Sequence, residues 1–230
     1  MAASLKPPMG ERAGRAAGLL GAGLLAFTLA LGAGYVAAWG IAPTLHSREL
    51  PWVTARALGI AGYLSLTALV VVGIWMRHPW RSTGGWLHAE TRLRAHAALA
   101  VATIALVAGH VASIVADRYA GVGWLGAIVP GLSHYRALAV GLGVVAFQLM
   151  LLTAATAGFA GRRGTRHWLG AHRLALFSFA ATCAHGALAG TDTSALRLMY
   201  VSSGLLVAFL ALTRSLGARA GRPGIVEVSR

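Results

Sequence analysis

Acidic residues are scarce in this chain, and cysteine is almost absent. The 230 residues include six Asp and Glu, and all six fall in predicted tails, loops or segment edges. A proton relay through a membrane uses embedded acids as partners for histidine, so this distribution counts against such a relay. Cys183 is the sole cysteine, which excludes an intrachain disulfide, and we expect it to be a small packing residue.

Charged residues are few, and nucleotide-binding motifs are missing. Only 11% of the residues are charged, whereas soluble domains carry about 25%. No P-loop occurs, and no GxGxxG motif follows a predicted strand, so we expect neither a flavin nor an NAD(P)H site in this chain. Hydrophobic residues make up 57%, and the mean hydropathy is +0.68. This balance is typical of a membrane protein.

The hydrophobic residues fall in six long blocks. They cover about 17–42, 52–75, 95–116, 137–160, 171–190 and 196–213. Each is near the ~20 residues that cross the hydrocarbon core as a helix, which satisfies its own backbone polar groups. We therefore predict an all-α, polytopic six-helix bundle in the lipid bilayer. Residues 16–214 form this domain, between a basic tail at 1–15 and a second tail at 215–230.

The basic residues predict the orientation of the bundle. Fifteen lie in the tails and in the loops that follow the second and fourth segments, whereas the opposite side has five, namely Arg48, Arg56, Arg118, Arg136 and Arg197. Loops rich in Lys and Arg stay in the cytoplasm. We therefore expect both termini to be cytoplasmic in a multi-pass protein of the cell membrane. The net charge of +14 then reflects topology, and no nucleic-acid partner is expected.

Four histidines lie inside the third and fifth segments. His96 and His110 are fourteen residues apart, and His172 and His185 are thirteen apart. At the helical rise these spacings span roughly 21 and 20 Å. Both segments run outward, so His96 and His172 share a level near the cytoplasm, and His110 and His185 share one near the exterior. An ionisable residue inside a membrane is a functional candidate by default.

Two levels with one histidine from each segment fit two stacked b haems. Imidazole is a common axial ligand of haem iron, and two imidazoles saturate the metal. The spacing therefore predicts metal ligation by His96 with His172 and by His110 with His185. A six-coordinate haem passes electrons, so the predicted function is electron transfer across the bilayer.

The angular positions of the two pairs differ. Fourteen residues fall about 40° short of four turns, whereas thirteen residues leave a side chain about 140° from alignment. A straight fifth segment would not direct both His172 and His185 towards the third segment. We expect a tightening, bulge or kink between them, unless the two haems approach the fifth segment from different sides.

Haem propionates are anionic and need cationic partners. The candidates on the cytoplasmic side are Arg92, Arg94, Arg166 and Arg173, and those on the exterior side are Arg118 and Arg136. Snorkelling arginines would occupy the same positions. His134 and His167 are candidate neighbours of a haem edge, whereas His46, His78 and His88 are expected to be ordinary interfacial residues. Phe177 or Phe179 is positioned to fill the space between the haems.

The sequence resembles the ferric reductase-like transmembrane domain over about residues 50–213. The motifs are WVTARALGIAGYLSLTALVVVG, which is similar to the family's W-x-x-x-R-x-x-G opening, the H-x13-H pair of His96 and His110, and WLGAHRLALFSFAATCAHGALAGTD, which contains the H-x12-H pair. The exterior stretch VPGLSHYRALAVGLGV is also similar. The family includes ferric reductases, NADPH oxidases and the haem subunit of bacterial methionine sulfoxide reductase.

This resemblance implies an inner haem on His96 and His172, an outer haem on His110 and His185, and outward electron transfer. Oxidases and eukaryotic reductases carry a C-terminal flavin and NADPH domain, which is not seen here. We therefore expect an oxidoreductase component, a cytochrome b subunit whose donor is a separate flavoprotein or a quinol. Its exterior acceptor would be ferric iron, oxygen or a redox partner protein.

The alternative is a non-redox membrane protein, such as a transporter or an assembly partner. In that case the four histidines would be structural and would bind neighbouring hydroxyls or carbonyls. The matched depths of the two pairs favour the cytochrome over this alternative.

Overall fold

The computed structural model describes residues 48–78, 89–157 and 168–220, with side chains up to residue 217. The predicted first segment, the tail at 1–15, and the candidates His46, His88, Arg166 and His167 lie outside the described residues. The described part is helical and contains no strand.

Seven helices follow one another in these residues. They are α1 (Leu50–Trp75), α2 (Ala89–Ala116), α3 (Gly123–Ile128), α4 (Ala137–Ala157), α5 (Trp168–His172), α6 (Leu174–Ala189) and α7 (Thr193–Ala220). Four of them, α1, α2, α4 and the first 25 residues of α7, are long and apolar enough to cross a membrane. The structure therefore confirms a helical fold with several apolar helices, as expected of a multi-pass membrane protein.

The fifth predicted segment is two helices instead of one. Its longer piece, α6, has 16 residues, which is fewer than the ~20 that cross the hydrocarbon core unaided. The break lies at Arg173, whose N–H is shared between the carbonyls of Leu169 and Gly170, each at 3.2 Å. The N–H of Leu176 then donates to the Arg173 carbonyl at 3.0 Å, which is the tighter i→i+3 pattern. The expected departure from an ideal helix is therefore present, directly after His172.

A hydrophobic core joins α1 to α4, α6 and α7. The buried residues of α1 recur every three or four positions, so they occupy one face of the helix. The cluster comprises Tyr63, Leu66, Val70, Ile74, Met150, Phe179, Val207 and Leu210. Because lipid is as apolar as these side chains, close packing stabilises such an interface more than removal from water does. Hydroxyl contacts contribute too, such as the one between Tyr63 and Ser203.

Helix α2 is the least buried of the four candidate spans. Only 6% of its most apolar window is buried, against 33% for α4. Its one fully buried side chain is Thr103, whose hydroxyl lies 2.8 Å from that of Ser65 on α1. Most of α2 thus presents its side chains outward, which makes its two inward histidines stand out from the rest of the helix.

The connection between α2 and α4 is folded against the bundle. The Asp117 carboxylate accepts hydrogen bonds from the backbone N–H groups of Tyr119 and Ala120, at 3.0 and 3.2 Å. Gly121, Gly123 and Gly131 have positive φ angles, a conformation that glycine adopts without strain. A small cluster of Ala120, Val122 and Ala127 packs on Trp52 and Tyr135. This loop closes one side of the cavity described below.

Candidate functional site

The four predicted histidines meet as two pairs. The ring centroids of His96 and His172 are 6.3 Å apart, and those of His110 and His185 are 6.2 Å apart. Metal–imidazole bonds are about 2.0–2.1 Å long, so two imidazoles on opposite sides of one metal ion have centroids about 6 Å apart. Each pair is therefore spaced to sandwich a metal ion.

The helices explain how the two pairs form. His96 and His110 share one face of the unbroken α2, as their fourteen-residue spacing predicts. His172 ends α5 and His185 lies near the end of α6, so the break at Arg173 separates them. This break allows both rings to face α2 although thirteen residues of straight helix would rotate them apart.

Each ring of the His110–His185 pair is hydrogen-bonded to a backbone carbonyl of a neighbouring helix. Nδ1 of His110 lies 2.7 Å from the Ala55 carbonyl oxygen on α1, and Nδ1 of His185 lies 2.8 Å from that of Ala139 on α4. A carbonyl only accepts, so Nδ1 carries the proton and donates. The lone pair of each neutral ring is then on Nε2, which is free to bind a metal.

Two glycines make these hydrogen bonds possible. Gly59 and Gly143 each lie four residues after the accepting carbonyl, on the same face of the helix. A Cβ atom would lie 2.9 Å from His110 Nδ1 at the first position and 2.7 Å from His185 Nδ1 at the second. Any larger residue at either position would therefore push the imidazole off its carbonyl.

The His96–His172 pair is held less firmly. His96 turns its Cε1 towards Gly73, whose Cβ position lies 3.0 Å from Cε1 and 3.7 Å from Nδ1. Its Nδ1 is buried and makes no hydrogen bond, although the Leu69 carbonyl interacts with the ring. Nδ1 of His172 lies 3.3 Å from the Thr153 carbonyl and 3.4 Å from the Thr156 hydroxyl. Both of these contacts are long for a hydrogen bond.

The carbonyls opposite the histidines repeat in the chain. Ala55 and Leu69 are fourteen residues apart on α1, and Ala139 and Thr153 are fourteen apart on α4. The histidines of α2 have the same spacing, whereas those of α5 and α6 are one residue closer. The carbonyls of α1 and the histidines of α2 thus have matching intervals. Between α4 and the α5–α6 pair the intervals differ by one residue, and the break at Arg173 compensates for this difference.

A cavity lies beside the His110–His185 pair. It has a volume of about 200 Å³, which is below the ~300–1,000 Å³ of common ligand pockets. Its charged residues are Arg56 and Asp192, which form an ion pair, and its other polar side chains are those of His110, His185, Thr182, Thr191, Trp52, Tyr63, Tyr135 and Tyr200. The remaining lining is mostly apolar and aromatic. Such a lining suits a largely apolar group with a charged edge.

Two histidines do not complete a metal site on their own. No group of three or more His, Cys, Asp or Glu is arranged to hold a metal ion among the described residues. A planar macrocycle brings nitrogen ligands of its own, so a protein that binds one needs to supply only two imidazoles. Each histidine pair would be sufficient for such a group.

The predicted arginines lie at the periphery. Arg136 donates to the Leu188 and Ala189 carbonyls and lies 5.5 Å from the Tyr135 ring. Neither Arg136 nor the exposed Arg118 lines the cavity. The cation that does line it is Arg56, which the sequence analysis did not select.

On the opposite level, Arg94 pairs with Glu90 on an exposed face of α2. Arg92 is half-buried, and Arg173 is exposed at the helix break. Of these, Arg173 lies directly beside a paired histidine in the sequence. The structure brings neither Arg92 nor Arg94 into a described contact with the His96–His172 pair.

Two other expectations change in the structure. His78 was expected to be an ordinary interfacial residue, but it is fully buried, stacks on Trp75 and lies 3.0 Å from the Thr213 hydroxyl through Nε2. His134 is exposed and does not line the cavity. Phe179 is buried and stacks on Tyr63, whereas Phe177 is 66% exposed. Of the two phenylalanines, Phe179 is therefore the one inside the bundle.

The sequence analysis missed the three glycines beside the histidines. A signal was present, because Gly59 and Gly73 have the same fourteen-residue spacing as His96 and His110. The motif W-x-x-x-R-x-x-G also contains Trp52, Arg56 and Gly59, and all three line the cavity. The high glycine content, 30 residues in the chain, hid this pattern.

Replacement of Gly143 by Ala tests the close approach of His185. In a helix this exchange alone adds up to about 1 kcal/mol of stability. We expect the opposite here, because the new methyl group would push His185 off the Ala139 carbonyl. Thermal unfolding of the purified protein in detergent measures the change.

Gly204→Ala is the matched control, because this helical glycine has open space at its Cβ position. We expect Gly204→Ala to leave the midpoint of unfolding unchanged or raised, and Gly143→Ala to lower it. Equal midpoints for the two variants would contradict the proposed contact.

Comparison of the chain with models of protein families, with curated proteins and with solved structures finds no match. The resemblance to the ferric reductase-like domain therefore stays a prediction from the motifs. The functional interpretation rests on the geometry of the two histidine pairs, their glycines and the adjoining cavity.

Proposed function

We propose that this chain is a six-helix, two-haem membrane cytochrome b that carries electrons across the cell membrane. The observation that carries the proposal is the spacing of the two pairs, 6.3 Å between the rings of His96 and His172 and 6.2 Å between those of His110 and His185. Two imidazoles that ligate one iron from opposite sides have this separation, about 6 Å. Unrelated packing of four histidines would not be expected to give the same ring separation in two pairs.

The surroundings of the rings support a metal-binding role. Ligating histidines almost always donate their second ring N–H to a carbonyl or carboxylate, which fixes the tautomer. His110 and His185 do so, to Ala55 and Ala139. The cavity beside them has a mostly apolar lining and a cation, Arg56, suited to a propionate if its ion pair with Asp192 opens. The residues present therefore fit a haem at this level.

At the His96–His172 site, the residues that fit a haem are the two histidines themselves. His96 and His172 face each other at the same distance, and Gly73 leaves room for the His96 ring. Bound between two imidazoles, haem iron has no open coordination position and exchanges single electrons. The protein's contribution is to hold the rings at fixed separation and to exclude water with the buried Tyr63 and Phe179 between the two levels.

The distribution of basic residues supports the direction of transfer. The fifteen basic residues on one side put both termini in the cytoplasm under the positive-inside rule. His96 and His172 then form the inner site, and His110 and His185 form the outer site. Electrons would enter from a flavoprotein or a quinol and leave to an exterior acceptor, such as ferric iron, oxygen or a redox partner protein.

The alternative, a transporter or assembly protein with structural histidines, explains less. A purely structural role does not require two pairs of histidines to have the same ring separation, as His96–His172 and His110–His185 do.

An absorbance spectrum tests the proposal. We expect the protein, expressed with haem supply, to show a Soret band that shifts on reduction and is typical of low-spin haem. His185→Ala should remove about half of the haem, because it removes one of the two ligand pairs. His134→Ala, an exposed histidine outside the cavity, is the matched control and should leave the spectrum unchanged. A colourless protein, or full haem content in His185→Ala, would refute the proposal.

Single-residue insertions test the role of the helix break. An Ala inserted between Arg173 and Leu174 restores a fourteen-residue spacing, and we expect both haems to be retained. An Ala inserted between Thr103 and Ile104 in the unbroken α2 puts its histidines fifteen apart and should cost one haem. Haem content per protein, from the pyridine haemochrome spectrum, distinguishes these outcomes. Loss of haem from the variant with the insertion after Arg173, together with full haem content in the variant with the insertion in α2, would contradict the role given to the helix break.

A further inference from the structure

The two histidine pairs differ in how their rings are hydrogen-bonded. At the outer site, both Nδ1 atoms donate to a carbonyl at 2.7 and 2.8 Å. At the inner site, His96 Nδ1 has no hydrogen bond, and His172 Nδ1 has contacts of 3.3 and 3.4 Å only. Ligand type and pairing distance are otherwise the same, so the difference lies in the groups behind the ligands.

The glycines show the cause of this asymmetry. At Gly59 and Gly143 the nearest atom to the Cβ position is the histidine Nδ1, whereas at Gly73 it is Cε1. The outer rings thus point their N–H edge along the neighbouring helix towards the carbonyl. The His96 ring instead turns Cε1 towards Gly73, and its interaction with the Leu69 carbonyl does not reach hydrogen-bond geometry at Nδ1.

A hydrogen bond from Nδ1 increases the basicity of the opposite ring nitrogen. A more basic imidazole donates more electron density to the iron and favours its oxidised state. Hydrogen bonding behind the ligands is one of the means by which proteins set haem potentials. The outer site has two such bonds, and the inner site has none at normal length.

The fixed charges act in the same direction. Arg214 interacts electrostatically with Arg77 and with Arg173, the residue that follows the inner ligand His172. None of the three pairs with a carboxylate among the described residues. Positive charge near an iron favours its reduced state. At the outer site the cation of the cavity, Arg56, is accompanied by the Asp192 carboxylate, so these two residues together add no net charge whether or not their ion pair opens.

We infer that the outer site, His110 and His185, has the lower reduction potential and the firmer ligands, and that Gly59 and Gly143 are the positioning residues responsible. This inference rests on the proposed two-haem function. Transfer from the inner to the outer site then runs to lower potential, so it depends on the membrane potential, negative inside, and on removal of electrons by the exterior acceptor.

An equilibrium redox titration of the purified, haem-loaded full chain tests the inference. We expect two components in the Soret band. His185→Ala should abolish the component of lower midpoint, and His172→Ala should abolish the component of higher midpoint. Loss of the higher component in His185→Ala, or a single midpoint for both sites, would overturn the inference while leaving the two-haem function intact. Absence of bound haem in the unaltered chain would instead overturn the proposed function.

The variant Gly59→Ala distinguishes the effect of the hydrogen bond behind His110 from the effect of losing the ligand itself. The added methyl group displaces His110 from the Ala55 carbonyl without removing the ligand. We expect the lower midpoint to rise, or that haem to be bound ~10–100-fold more weakly, as for other losses of a hydrogen-bond partner behind a metal ligand. The higher component should not change, and Gly204→Ala should change neither. An unchanged lower component at unchanged affinity, or a shift confined to the higher one, would contradict the role given to Gly59.

Discussion

The hydrogen bond from a histidine ring to a backbone carbonyl of the neighbouring helix is the constraint on which this arrangement depends. Backbone carbonyls in a helix already accept one bond each, so a second donor must approach closely along the helix surface. Only glycine four residues later leaves room, as Gly59 and Gly143 do. The contact fixes ring orientation, tautomer and helix separation together. The spacing of the His110–His185 pair follows from two such contacts.

The break at Arg173 illustrates how spacing in the sequence and geometry in the bundle are related. Helix α1 has its two facing carbonyls, those of Ala55 and Leu69, at the same fourteen-residue interval as the histidines of α2. Helix α4 has that interval too, but its partner histidines are thirteen apart. A tightened turn at Arg173 resolves the mismatch. The fold therefore accommodates a one-residue difference at the position where the helix is interrupted.

Much of the fold and part of the site could be predicted from sequence. Long apolar blocks determine the spanning helices, so α1 and α4 begin and end near their predicted limits, whereas α2 begins at Ala89 instead of about 95 and α7 ends at Ala220 instead of about 213. The break in the fifth segment was expected from angle alone, but its position was not, because local hydrogen bonding at Arg173 decides it. The cavity cation was not among the predicted propionate partners: Arg56 lines the cavity, whereas Arg136 donates to a carbonyl at the end of α6. Which arginine faces inward depends on side-chain packing that periodicity does not encode.

The central claim is that each pair of imidazoles holds one haem iron. Electron paramagnetic resonance of the oxidised, purified protein, combined with haem content per chain, tests it most directly. The account predicts two haems per chain and two low-spin ferric signals of bis-imidazole type, one of which disappears in His110→Ala. High-spin signals, or a single haem in the unaltered protein that survives His110→Ala and is lost in His96→Ala, would contradict two-site ligation.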